Sequence, residues 1–138
     1  MQTLALTDAS RYIAGIVLLT VVTIEFGGYF MTRIARGAVP MTAFQQSFAR
    51  AGHGHAGVLV VFSLVGLLLA DAAGLDGFWG WLGRLAIPVA AVVMPAGFFA
   101  SSGGREVNGP NRAILVVWVG ALILAVGVVT LGIGLLAA

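Results

Sequence analysis

The chain has 138 residues, of which 60% are apolar and only 9% charged, with a mean hydropathy of +1.07. A soluble domain is about a quarter charged, so a water-exposed globule is excluded, and so is a disordered chain, because there is ample material to bury. The net charge of +2 comes from arginines alone on the basic side, and the absence of cysteine removes disulfides, thiolate metal sites, iron–sulfur clusters and covalent haem attachment.

An apolar run of about 20 residues crosses the hydrocarbon core as a helix. The first such run lies between Arg11 and Arg33, giving a helix over 11–34 interrupted only by Glu25. Its length, the flanking Asp8 and the lack of a small-residue cleavage pattern argue against a signal peptide. RIARGAVPMTAFQQSF follows, with Gly37 and Pro40 as the break and Thr42-Ala-Phe-Gln45 as a capping box. The second helix is therefore predicted over 43–71. The link DAAGLDGFWG carries Phe78, Trp79 and Trp81, suited to an interfacial aromatic belt. The third helix is predicted over 79–101, with Arg84 in its first turns and Pro88 and Pro95 as kinks. SSGGREVNGPNR is a loop by its Gly, Asn and Pro content, and the fourth helix occupies 112–136.

The fold class is thus all-α: a four-helix transmembrane bundle that uses nearly all of 1–138 as one domain. Nothing in the chain repeats, and no soluble domain is left to carry a separate function. Seven arginines beside so much apolar surface suit membrane flanks rather than a nucleic-acid partner. Arg33, Arg36, Arg50, Arg105 and Arg112 share one side, which the positive-inside rule places in the cytoplasm unless these residues bind an anion. The expected setting is a bacterial inner membrane, crossed several times.

Ionisable side chains within a span are costly and usually functional. They are Glu25 in helix 1 and His53 and His55 in helix 2, all at similar depth from one end of the bundle. Residues i and i+2 of a helix lie about 200° apart, so His53 and His55 cannot chelate one ion and must serve different partners. Gly52, Gly54, Ala56 and Gly57 around them leave room for something flat. Imidazole is a usual axial ligand of haem iron, and loop arginines bind carboxylates such as propionates bidentately. Gly120, Gly127, Gly132 and Gly134 in helix 4 admit either another helix or a flat cofactor. Met94 is either a thioether ligand or packing. For the histidines the bland reading is hydrogen bonding between helices or exposure at an aqueous mouth, and for Glu25 a protonated acid bonded to a neighbouring helix.

The stretch AGHGHAGVLVVFSLVG resembles the His-x-His helix of the haem-copper oxidase superfamily, most closely the His-Gly-His form of the nitric oxide reductase catalytic subunit. In that family the subunit has twelve helices in three pseudo-equivalent groups of four, with ligand histidines early in the second helix of a group. The resemblance implies that this chain is like one such group, that three copies form a twelve-helix homotrimer, and that His53 and His55 ligate haem b. It also implies that Arg50, Arg105 and Arg112 neighbour the propionates, with Glu25 a proton-handling or supporting group. No second histidine-bearing helix and no His-Pro-Glu or His-His element is present, so no complete oxidase or reductase centre is visible. The expected function is haem binding for electron transfer or haem handling. His53 of one protomer and His55 of the next would ligate one iron, with a redox partner implied. A proton- or ion-conducting bundle using Glu25 and the two histidines, or a structural accessory subunit, are the alternatives.

Overall fold

The computed structural model describes residues 6–138; the first five residues of the 1–138 domain lie outside the described residues. Four α-helices follow in chain order: α1 (Asp8–Ala35), α2 (Ala43–Ala72), α3 (Gly77–Ser101) and α4 (Ile114–Ala137). Each is long and apolar enough to cross a membrane. The sequence-derived bounds hold to within about one turn, and the differences are caps. Thr7 caps α1 by accepting from the Ser10 N–H, so the helix begins at Asp8 rather than at the first apolar residue. Asp76 caps α3 in the same way, through the Gly77 N–H. At α2 the capping box is complete: Thr42 accepts from Gln45 N–H while the Gln45 side chain returns to the Thr42 N–H. α4 has no side-chain cap.

α3 is the central element, packed most extensively on α4 and α2. α1 lies against α2, touches α3 sparsely and makes no contact with α4. α1 and α4 therefore occupy opposite edges of the α2–α3 pair. The core consists of two small clusters on this frame. Leu59, Met94 and Val117 pack together in one, and Ala70, Ile87 and Leu131 in the other. Met94 is thus packing. The α4 glycines serve helix contact too: a Cβ at Gly120 would lie 2.9 Å from the Met94 backbone, and one at Gly127 would lie 2.7 Å from Ala86 Cβ. Small residues let the two backbones approach closely, which is the usual device of helix association in lipid. Gly132 alone of the four stands beside open space.

Arg84 corrects the sequence reading, which placed it at the membrane flank with Arg11. Its side chain is only 10% exposed and pairs with Asp71, itself 8% exposed, at 2.7 Å. Arg84 Nε also donates to Ser10 Oγ at 3.1 Å, and one terminal nitrogen donates to the Leu75 carbonyl at 3.0 Å. Asp71 accepts in addition from Ser10 Oγ, Thr7 Oγ1 and the Thr7 N–H, each at 2.9–3.0 Å. A charge pair taken out of water is tolerated only when its remaining hydrogen-bonding capacity is filled. Here it is, and the cluster joins the start of α1, the end of α2 and the start of α3. With Arg84 neutralised inside the fold, Arg11 is the one exposed arginine left at that end, which sharpens the arginine asymmetry between the two ends.

Candidate functional site

The opposite end of the bundle holds every residue singled out for function. It is organised by Gln45, buried one turn into α2. Its amide nitrogen donates to the carbonyls of Ser102 at 3.0 Å and Gly104 at 2.9 Å, and Thr42 Oγ1 donates to the Val107 carbonyl. These bonds hold the α3–α4 loop, with Arg105, against the α2 start. Asn111 closes the loop by donating from its amide to the Ala100 carbonyl at 2.9 Å. Arg105 and Arg112 are exposed here, as is Arg50. Arg50 borders a crevice of about 270 Å³ with Met31, Thr32, Ile34, Ala35 and Gln46. It lies four residues before Gly54, hence one turn above it on the same helical face.

His53 and His55 diverge as their spacing requires, and their surroundings differ. His53 is half-buried and rests on α1 at its tandem glycines. A Cβ at Gly27 would lie 3.3 Å from His53 Nδ1, and one at Gly28 would lie 3.6 Å from Nε2. Both ring nitrogens are therefore turned to the α1 backbone, which fills the space a macrocycle at His53 needs. A Cβ at Gly28 would sit in ordinary contact with the ring, whereas one at Gly27 would need the ring to give by a few tenths of an ångström.

His55 is exposed. Its Nδ1 lies 2.7 Å from the Ala51 carbonyl. A carbonyl can only accept, so Nδ1 carries the proton and Nε2 is the free lone pair. A backbone carbonyl fixing one imidazole nitrogen so that the other is free is the usual support for a ligating histidine. The ring is further held by Phe98 of α3, with centroids 5.0 Å apart. A Cβ at the neighbouring Gly54 would meet nothing within 4 Å, and further along the outer face Val58 and Val61 are exposed. Gly52, by contrast, faces inward, where a Cβ would lie 3.1 Å from Phe98 and Phe99.

Glu25 is exposed on α1, on the turn before the glycines that hold His53. The depth match read from the sequence stands, but Glu25 makes no hydrogen bond or ion pair with either histidine, and among the described residues no three His, Asp or Glu side chains are grouped closely enough to hold a metal ion. No protein-family model, no curated protein and no solved structure matches the chain.

The donor set at His55 suits a haem iron on two counts of its own chemistry. The Ala51 carbonyl occupies one ring nitrogen, so the other is the one available to a metal. The ring is exposed, and the neighbouring Gly54 adds no side chain beside it. Arg50 lies toward the α1 side of α2, in the crevice shared with Met31, Thr32, Ile34 and Ala35. His53 does not meet the same test while α1 covers it.

Proposed function

We propose that this chain is a haem-binding integral membrane protein that holds b-type haem at the boundary between protomers, for electron transfer or haem handling. His55 is the axial ligand. The observation that carries the reading is the Ala51–His55 hydrogen bond, which engages Nδ1 and leaves Nε2 of an exposed ring as the nitrogen available to iron. Bound there, haem would supply a one-electron redox couple. The protein's own contribution is to fix the imidazole through Ala51, to hold the ring plane with Phe98, and to leave space at Gly54. Arg50, Arg105 and Arg112 supply positive charge at the same end of the bundle, where propionates would be met. The assembly we propose is the homotrimer, with each copy like one four-helix group of a haem-copper oxidase subunit, in a bacterial inner membrane.

The test is the absorption spectrum of the detergent-purified protein expressed with ample haem. A Soret band, with split α and β bands on reduction, is expected for the native chain and is lost in His55→Ala. Absence of porphyrin from the native chain rejects the reading. A proton relay through Glu25, His53 and His55 has no comparable support, because neither histidine is hydrogen-bonded to Glu25.

A further inference from the structure

Among the described residues Glu25 has no hydrogen-bond or ion-pair partner, and its place in the fold says where one comes from. It lies ten residues before the end of α1, roughly 15 Å from that end at 1.5 Å per residue, and shares the lipid-facing side of the helix with Val22, Phe26 and Tyr29, all exposed. A carboxyl group at that depth is expensive unless something polar covers it. His55 lies twelve residues after the start of α2, roughly 18 Å from the same end, and is also exposed. The two groups are therefore an acid and a base within about 3 Å of the same depth.

They also stand on opposite edges of the protomer. Glu25 is on α1. His55 is four residues before Leu59, which packs on Val117 of α4, and seven before Phe62, which borders the α2–α4 crevice with Val128 and Leu131. The stripe His55–Leu59–Phe62 is thus the α4-side edge of α2, and α1 and α4 do not touch. One edge carries an acid without a partner among the described residues, and the other an exposed imidazole beside the side-chain-free Gly54. A head-to-tail contact that joins unlike edges closes into a ring when the rotation allows.

We infer that the α1 edge of one copy docks on the α2–α4 edge of the next, so that Glu25 of one copy faces the seam in which His55 of its neighbour stands. The occupant of this face is a second copy of the chain, chosen by polar complementarity, a carboxyl group against an imidazole at matched depth on unlike edges. The inference deepens the haem reading by naming what forms the far wall of the His55 site, but its test needs no chromophore.

Because the chain has no cysteine, introduced cysteines are unique. Leu18 is seven residues before Glu25 and Phe62 seven after His55, so both lie two turns further along the same stripes, about 3 Å apart in depth, and both are exposed. Leu18→Cys and Phe62→Cys chains are produced together in membranes and oxidised. A covalent dimer is expected from the mixture and from neither variant alone, and a single chain carrying both changes is expected to give a ladder ending at the ring size. Native mass spectrometry of the unmodified protein, which involves no substitution, is expected to show an oligomer of that size. Cross-linking of either variant with itself alone, no cross-link in the mixture, or a monomeric native protein overturns the inference. A cross-link in protein that lacks any porphyrin keeps this interface and removes only the haem.

Discussion

His55 and Asp71 show how differently two polar residues of one membrane helix are used, one well inside the span and one at its end. His55 keeps a free ring nitrogen on an open face, whereas Asp71 has its acceptor capacity filled by Arg84, Ser10 and Thr7. Substitutions separate the two roles. His53→Ala is expected to leave haem content near that of the native chain, because α1 and not a ligand occupies its nitrogens. His55→Ala is expected to remove it, with both proteins folded by circular dichroism; pyridine haemochrome assay of the two variants checks this. Asp71→Asn leaves the Arg84 charge buried without its counter-ion, which costs about 3–5 kcal/mol in comparable pairs. Thermal unfolding in detergent is expected to register it, and Asp71→Leu with Arg84→Met is expected to recover much of the loss. The histidines were legible in the sequence because a period-2 spacing on a helix can mean only divergence. The charge cluster was not. Asp71 and Arg84 each read as the polar end of a span, and only the tight α2–α3 turn brings them together. The available signal was that Ser10, Asp71 and Arg84 all fall at the same end once four antiparallel spans are drawn.

At the level of the helices, the caps and the small residues carry most of the order. The Thr42–Gln45 box was readable as a pattern, because its two hydrogen bonds are local. The second use of Gln45, tying down Ser102 and Gly104, depends on a loop more than fifty residues away and left no local trace. Gln45→Ala is expected to loosen the α3–α4 loop, seen as faster amide exchange over residues 103–109 with exchange in α3 unchanged. Thr42→Ala removes the cap, worth about 1 kcal/mol, together with the bond to the Val107 carbonyl. The α4 glycines divide by what they face. Gly120→Val would drive a side chain into the Met94 backbone and is expected to lower the unfolding temperature sharply, whereas Gly132→Ala, beside open space, is expected to leave it unchanged. Composition alone could not assign them between a helix and a cofactor. Their period on α4 matches α3, and that partner appears only when the bundle is assembled.

The whole molecule is a frame of three helices with α1 laid along one edge. Only Ser10, Val17 and Ile34 of α1 are buried, so a long apolar helix with Glu25 within its apolar stretch is left facing outward. The number of spans and their order followed directly from run lengths, since hydrocarbon thickness sets helix length. What α1 covers did not follow from them: the contact of His53 with the tandem glycines at 27 and 28 appears only once α1 is laid on α2. Glu25→Leu, which removes the acid from the proposed seam, is expected to reduce oligomer yield in native mass spectrometry, while Glu25→Gln, which keeps hydrogen-bonding capacity, retains more of it. At this scale the central claim is that the imidazole held by Ala51 faces a tetrapyrrole. Reduced-minus-oxidised spectroscopy of the purified native chain beside His55→Ala tests it most directly. The account expects haem bands that depend on that one ring; a colourless native protein, or bands that survive its loss undiminished, would contradict it.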